Sequence, residues 1–366
     1  ALVLGFGLSA VVQAVVSKRE MSCLLPDSSP KTLTVACGLG VASSSCSYAA
    51  VALTRSLVTK GANFTSAMAF QLASTNLVAE LGILLAILVG WQFTVAEFAG
   101  GFLMVAIMAI LFRVFLRERL RKRAVEQARR GIEGRMEGHA AMDMAVTEGP
   151  VWKRITSKKG LTATSHYFIM DWAAIWPDIV LGLVIAGALA AWVPKSFWSA
   201  FFLKSHPLAA KFWGPVIGPL VAILSFVCSV GNVPLAAVLW NNGISFGGVV
   251  AFLFADLLVL PILDIYRKYY GWKMSGFILA TFYVAMLIAA LIVEFVFSAL
   301  HLVPTAGHAR IATEGIRLNY TTILNIIFLV VAVLLLVRFF RTGGMKMMHM
   351  MNRPRDSMRH RTTHPA

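Results

Sequence analysis

The chain has 366 residues, of which 58% are apolar and 14% are charged, and its formal net charge is +16. A soluble domain carries roughly 25% charged residues, so this composition excludes an ordinary soluble globular protein. Several apolar blocks are about 20 residues long, enough for a helix to cross the ~30 Å hydrocarbon core of a bilayer. Because no pattern of short alternating segments appears, we expect an all-α polytopic membrane protein.

The positive charge collects in polar segments between the apolar blocks. The positive-inside rule explains this distribution, so we expect a lipid bilayer and no nucleic acid as partner. The four cysteines form no CxxC pair, which argues against a disulfide framework and a zinc site, and we expect no cofactor. The chain begins inside an apolar run without Met or a cleavable signal peptide, so we expect that it lacks an N-terminal segment.

In chain order, we predict about seven full spans, two interrupted apolar stretches, a basic loop and a basic tail. The full spans are Leu2–Val16, Phe64–Gly90, Phe93–Phe115, Ala173–Val193, Phe246–Tyr266, Met274–Leu300 and Thr321–Phe340. The interrupted stretches are Leu33–Leu57 and Ala209–Trp240. The predicted domains are residues 1–116 (first transmembrane repeat), 117–165 (basic loop), 166–301 (second repeat), 319–341 (extra span) and 342–366 (Met/His/Arg tail).

The distribution of Lys and Arg predicts the orientation. The segment from Arg113 to Lys159 carries 13 basic and six acidic residues, and the tail is also basic, so both should be cytoplasmic. Both ends of Leu33–Leu57 then lie inside and both ends of Ala209–Trp240 outside. Each stretch must therefore be a re-entrant hairpin or a pair of helices.

An internal repeat at an offset of 182 residues agrees with this topology. Chance apolar similarity is the alternative, but rare residue types (Cys, Gly and Trp) fall into register. Because the charges orient the two copies oppositely, we predict an inverted-topology repeat, a plan common in secondary transporters. The matches include Cys46-Ser47 with Cys228-Ser229, Gly61 with Gly243, Phe64 with Phe246 and, one residue off, Gly90-Trp91 with Gly271-Trp272.

The two interrupted stretches are the first candidate site. Small polar residues interrupt the apolar run at 42–48, and Gly231 and Pro234 interrupt it at 228–234. Backbone groups freed there require protein or water, as in a substrate cavity; the alternative is close helix packing. The thiols suit soft ions, although a buried free Cys is also an ordinary small hydrophobe. The candidate substrate-binding residues are Cys46, Ser47, Cys228, Ser229, Asn232 and Pro234.

Ionisable residues inside spans are candidates for proton coupling, since burial in a membrane needs a functional reason. Asn76 and Glu80 are four residues apart and would share one helical face, with Asn76 orienting Glu80. Asp256 lies in the middle of span 5, and Asp264 lies nearer the cytoplasm, close to the same face. The alternative for Asp264 is an interfacial ion pair with Arg267 or Lys268.

Met and His residues cluster in the loop and in the tail. Thioether and imidazole groups suit Cu(I), and the weak metal candidates are His139, Met142, Met348 and His349. The alternative is a disordered basic tail that is rich in Met. No P-loop and no hydrolase motif is present, so we expect neither ATP hydrolysis nor an enzyme.

Four segments carry a family resemblance: Ser43–Ala50, Ala73–Val78, Phe254–Pro261 and Cys228–Ala237. They resemble the predicted bacterial permease family that includes the organoarsenical efflux permeases. The resemblance covers residues 1–300 and implies a cytoplasmic-membrane permease of roughly eight or more spans that exports a small, soft or uncharged toxicant.

These observations predict a secondary-active, proton-coupled permease that exports a soft-metal or metalloid species, such as an organoarsenical. Its partners would be lipid, substrate and protons. The alternative is a non-transporting membrane subunit that binds metal through its Met/His-rich tail.

Overall fold

The computed structural model describes residues 18–43, 47–129, 144–192, 201–203, 206–225, 229–304 and 320–351, with single residues between 3 and 15. Within a few helices it describes the backbone but not every side chain. Throughout this described part the chain is α-helical and has no β-strand. The prediction of an all-α protein is confirmed.

We number the helices in chain order. The first nine are α1 (Lys18–Cys23), α2 (Pro30–Ser43), α3 (Ser47–Thr59), α4 (Phe64–Asn76), α5 (Ala79–Leu88), α6 (Trp91–Phe115), α7 (Glu118–Arg129), α8 (Val151–Thr156) and α9 (Lys158–Trp192). They are followed by α10 (Pro207–Ser225), α11 (Ser229–Asn241), α12 (Phe246–Phe254), α13 (Leu260–Tyr270), α14 (Trp272–Ala299), α15 (Tyr320–Arg341) and α16 (Gly344–Met351).

The predicted second span is a broken helix, since α4 ends at Asn76 and α5 begins at Ala79. At the end of α4, Thr75 Oγ1 and Asn76 Nδ2 each donate a 3.3 Å hydrogen bond to the carbonyl of Leu72. Side-chain bonds of this kind compete with the helical backbone ladder and favour its end. Asn76 and Glu80 therefore stand on the two sides of a helix break, and that they share one face stays a prediction.

A second break separates α12 from α13. A 3₁₀ turn at Ala255–Leu257 lies between them, and the two parts are bent by 42°. Pro261 stands in the first turn of α13. It has no N–H to donate to a helix that continues from α12, whereas in the first turn of a new helix this N–H is not needed.

Helices of the two halves pack in matching pairs. In the first half α2 packs along α4, in the second α10 packs along α12, and α6 packs against α14 between them. Glycines permit the close approach, as is usual between membrane helices. A Cβ at Gly40 would lie 2.6 Å from the carbonyl oxygen of Phe70, and one at Gly218 would lie 2.4 Å from that of Gly248.

One buried apolar cluster extends through both halves. Phe93 of α6 illustrates the connection, because its ring centroid lies 4.7 Å from that of Phe246 and 5.2 Å from that of Trp240. Aromatic rings at such distances pack favourably beyond the area they bury. The polar residues described below are thus enclosed between the two halves.

Several helices expose large apolar side chains on their outer faces. Leu334 in α15 is 64% exposed and Leu224 in α10 is 66% exposed, as expected for surfaces that face lipid rather than water. Four segments are long and apolar enough to cross a bilayer, and the bent pair α12–α13 would be a fifth. The four are Phe64–Leu88, Trp91–Phe115, Pro207–Ser225 and Trp272–Ala299.

In the interrupted stretch Ala209–Trp240 the structure describes helix on both sides of residues 226–228, in α10 and α11. The predicted span at 321–340 falls within α15, and α9 covers residues 173–192 of the predicted span at 173–193. Most of the first predicted span, Leu2–Val16, lies outside the described residues. A total of seven full spans stays a prediction.

Candidate functional site

The site is centred on Asp256, in the 3₁₀ turn between α12 and α13, and this residue is fully buried. Its Oδ2 accepts a hydrogen bond of 2.7 Å from the hydroxyl of Ser47, the first residue of α3. Its Oδ1 accepts one of 3.3 Å from Nδ2 of Asn76, the last residue of α4. A residue of α3, the end of α4 and the break between α12 and α13 therefore meet at one carboxyl group.

Glu97 of α6 is the second buried carboxyl group of this centre. It is 0% exposed, and neither carboxyl oxygen has a hydrogen-bond partner among the described residues. Its carboxyl group interacts electrostatically with that of Asp256. An unpaired carboxylate in an apolar interior is strongly disfavoured. The protonation state of Glu97 therefore depends on that of Asp256.

Sequence reasoning favours Glu80 over Glu97, because Glu97 stands near the end of a predicted span. The sequence distinguishes Glu97 only as an acidic residue within an apolar helix. Glu80 is also buried, at 3% exposure, in the first turn of α5. The amide of Asn76, the predicted orienting partner of Glu80, donates a hydrogen bond to Asp256 in the second half of the chain.

A buried amide and a phenol extend the polar centre. Gln71 of α4 donates a short hydrogen bond through Nε2 to the hydroxyl of Tyr266 in α13, and both side chains are fully buried. Tyr266 also interacts electrostatically with Asp256. Gln71 Oε1 has no partner among the described residues. Sequence reasoning missed both residues, since a Gln and a Tyr inside spans are common and carry no charge.

The candidate substrate residues are only partly described. Cys46 and Cys228 lie outside the described residues, and so does the side chain of Ser229 at the start of α11. Asn232 is fully buried in the first turn of that helix, and neither atom of its amide has a partner among the described residues. A buried amide left unpaired costs free energy, which a bound molecule or water can recover. Pro234 lies half-buried within α11.

Asp264 belongs to a different environment. It accepts a 2.7 Å hydrogen bond from Nε of Arg267, and its Oδ2 lies 2.7 Å from Nζ of Lys268. Its side chain is 43% exposed. This geometry matches the alternative interpretation of Asp264 as an interfacial ion-pair partner.

The weak metal candidates fall near or beyond the limits of the described chain. His139 and Met142 lie outside the described residues, as does the side chain of His349 in α16. Met348 is partly buried against Met170 and Met347. Within the described residues, no three His, Cys, Asp or Glu side chains are grouped as metal ligands would be.

Apolar helices with exposed hydrophobic faces, and a polar centre enclosed where helices break, define a multi-pass membrane protein of the permease class. The chain belongs to the predicted permease family ArsP_1, whose model matches residues 1–295. The family resemblance seen in the sequence is thereby confirmed.

Two relatives extend the comparison. The chain is 60% identical over 344 residues to "Putative permease Rv2963" of Mycobacterium tuberculosis (strain ATCC 25618 / H37Rv), covering 94% of this chain and 85% of that protein. It is 23% identical over 133 residues to UPF0718 protein YraQ of Escherichia coli (strain K12), covering 36% of this chain and 37% of that protein. No solved structure matches the chain.

Proposed function

We propose that this chain is a secondary-active permease that exports a small soft-metal or metalloid species, with proton exchange at Asp256 and Glu97. Membership of a permease family supports the transport role. The chain carries no P-loop motif, so an ion gradient is the natural energy source. The proton is the coupling ion that buried carboxyl groups handle best.

The observation that carries the proposal is the fully buried carboxyl group of Asp256, held by Ser47 and Asn76 at 2.7 and 3.3 Å. These two donors stabilise one negative charge at this position. The adjacent Glu97 has no such donors among the described residues, so it is accommodated best when protonated. Opening the centre to water on one side would ionise Glu97 and release its proton, which couples conformation to proton movement.

Residues at the starts of α3 and α11 supply the proposed substrate contacts. Cys46 immediately precedes Ser47, and Cys228 immediately precedes Ser229. Thiolates select soft ions and metalloids, while the unpaired amide of Asn232 offers both donor and acceptor groups. Trivalent organoarsenicals fit these groups, since they combine a thiol-seeking atom with an apolar substituent.

The helix bounds support the proposal of a repeat at an offset of 182. In the first half α3 ends at Thr59, and in the second half α11 ends at Asn241, 182 residues later. Gly61 and Gly243 follow α3 and α11, with φ of 108° and 98°, in the left-handed region that favours glycine. Phe64 and Phe246 then begin α4 and α12.

With the two copies inverted, their broken helices would meet from opposite faces of the membrane, as in many secondary transporters. The family resemblance supports a bacterial cytoplasmic membrane, and the charge distribution supports a cytoplasmic position for the loop 117–165 and the C-terminal tail. Asp256 would then lie between the copies, within reach of either side.

Transport by purified protein in liposomes tests this proposal. A trivalent organoarsenical gradient should drive proton movement, recorded by an internal pH-sensitive dye, and the Asp256→Asn variant should lose both substrate and proton flux. Glu118→Gln is the matched control, because Glu118 is an exposed acidic residue of α7 paired with Arg121 at 2.8 Å. Full coupled transport by Asp256→Asn would overturn the mechanism.

The substrate class is tested separately in cells. A deletion strain complemented with the wild-type chain or with Asp256→Asn is grown with arsenicals, antimonials, copper, silver and mercury. We expect the wild-type chain alone to restore tolerance to one or more of these toxicants. Equal growth of both strains on every compound would reject export of soft species by this centre.

A further inference from the structure

A group of methionines joins α9, α15 and α16, apart from the main core around Asp256. Met170 of α9, Phe339 of α15 and Met347 of α16 are buried together, at 3%, 1% and 8% exposure. Met144 and Met348 are partly buried against them. Methionines from three separate segments of the chain therefore pack in one cluster with an aromatic residue.

His166 stands beside this methionine cluster. It lies four residues before Met170, on the same face of α9. Its ring meets that of Phe339 edge-on, with the centroids 5.3 Å apart. The residue is 6% exposed, and its Nδ1 has no hydrogen-bond partner among the described residues.

The other ring nitrogen of His166 is held by a defined hydrogen-bond chain. Nε2 lies 2.8 Å from Oγ1 of Thr342, and that hydroxyl donates to the carbonyl of Arg338 at 2.8 Å. Since the single hydroxyl proton of Thr342 is used there, its oxygen accepts from the Nε2–H of His166. This arrangement fixes the tautomer and leaves a bare lone pair on Nδ1, as a ligand histidine requires.

We propose that this cluster binds a soft monovalent cation of the Cu(I) or Ag(I) type. The ligands would be Nδ1 of His166 and the thioethers of Met170, Met347 and Met144. Thioether and imidazole donors select such ions, whereas zinc, calcium or magnesium sites need carboxylates, thiolates or several histidines. Met144 is held next to α9 because its backbone N–H donates to the hydroxyl of Tyr167 at 3.0 Å.

A metal ion bound here would link the end of α15 to α9. Hydrogen bonds already connect the two helices there. The hydroxyl of Ser165 donates to the carbonyl of Leu335 at 2.7 Å, and Arg338 donates to the carbonyl of Lys158 at 2.8 Å. A bound ion would add its binding free energy to this interface and stabilise the folded chain in proportion to RT ln(1 + [L]/Kd). The proposal depends on this interface and not on transport by the Asp256 centre.

The test uses the purified full-length chain, titrated with Ag(I) and with Cu(I) in competition with a chromogenic Cu(I) chelator. The double variant Met170→Leu/Met347→Leu keeps the apolar packing but removes two thioethers. Its matched control is Met104→Leu/Met108→Leu, two buried methionines of α6. We expect the first variant to lose one bound equivalent and its Ag(I)-dependent rise in melting temperature, while the control keeps both.

A second variant guards against a folding artefact. Thr342→Val keeps every proposed ligand but removes the hydrogen bond that fixes the His166 tautomer, so the affinity should fall by about tenfold or more, as for the loss of other outer-shell partners. Binding of Ag(I) by both variants with the stoichiometry and affinity of the control would overturn the proposal and leave the methionines as packing residues. Coupled transport by Thr342→Val should equal that of the wild type, so failure of this site is distinguishable from failure of the permease mechanism.

Discussion

At the scale of single residues, Asp256 and Glu97 are both buried acids but have opposite environments. Asp256 accepts hydrogen bonds from Ser47 and Asn76, whereas Glu97 has no partner among the described residues. Two acids whose surroundings differ in this way take different protonation states. In the proposed mechanism Asp256 retains the charge and Glu97 carries the exchanged proton.

The variant Glu97→Gln should therefore separate stability from coupling. Glutamine has nearly the same shape and no charge, so it mimics the protonated acid, and replacing a group that lacks a hydrogen-bond partner in the described part of the chain is close to neutral for folding. We expect a melting temperature near that of the wild type and a loss of proton flux in liposomes. Proton flux equal to that of Glu118→Gln would show that Glu97 takes no part in coupling.

Ser47 should behave differently, because it supplies a hydrogen bond to a buried carboxyl group. Removing the hydroxyl in Ser47→Ala leaves Asp256 with one donor fewer, which costs roughly 1–3 kcal/mol for a buried polar group. We expect a lower melting temperature and reduced transport. Ser56→Ala, a half-buried serine in the same helix, is the control; equal stability of the two variants would contradict the contact to Asp256.

Part of this centre can be predicted from the sequence. Asp256 stands out as a charged residue within an apolar segment, and Ser47 as a polar residue in an interrupted one. Their contact joins residues 209 positions apart, and no pattern in one sequence specifies such a pairing. Gln71 and Tyr266 could not be singled out because their function depends on what they contact, not on residue type.

At the scale of elements, the breaks in helices determine where the polar residues lie. The hydroxyl and amide side chains at 74–76 and the proline at 261 are visible in the sequence. Hydropathy still predicts continuous spans at 64–90 and 246–266, since the apolar character continues through both breaks. Apolar periodicity reports burial, whereas a helix break depends on local competition for backbone hydrogen bonds.

The close packing of α2 on α4 gives a prediction at this scale. Any Cβ at Gly40 would lie 2.6 Å from the carbonyl oxygen of Phe70 and 2.9 Å from the amide nitrogen of Ser74. Gly40→Ala should therefore force the helices apart, at a cost of about 1–3 kcal/mol, and displace the end of α4 that bears Asn76. We expect a lower melting temperature and weaker transport.

Gly38 provides the control for that substitution. It belongs to the same helix, and among the described residues no atom would lie within 4 Å of a Cβ added there. Gly38→Ala should be neutral or stabilise the helix by about 0.5–1 kcal/mol, since alanine is the better helix former. If both alanine variants melt alike, the tight α2–α4 contact is not a determinant of stability.

At the scale of the whole molecule, the proposed inversion relates two similar halves by opposite orientation in the membrane. In the two halves α3 and α11 end, and α4 and α12 begin, 182 residues apart, and each half places a helix with a glycine contact against its broken helix. Matching local structure says nothing about orientation by itself. Orientation rests on the distribution of Lys and Arg, which acts during insertion and leaves no contact in the folded chain.

Trp91 and Trp272 allow this orientation to be tested directly. Each is the first residue of a helix, α6 or α14, each follows a glycine with positive φ, and they are 55% and 76% exposed. If the halves are inverted, Trp91 faces the outside and Trp272 the cytoplasm. In a chain whose four native cysteines (Cys23, Cys37, Cys46 and Cys228) are replaced by Ser, a membrane-impermeant maleimide added to intact cells should label Trp91→Cys and not Trp272→Cys. Permeabilised cells, in which both cysteines must react, provide the control. Labelling of both variants in intact cells, or of Trp272→Cys alone, would contradict the proposed topology and with it the access of Asp256 to both sides.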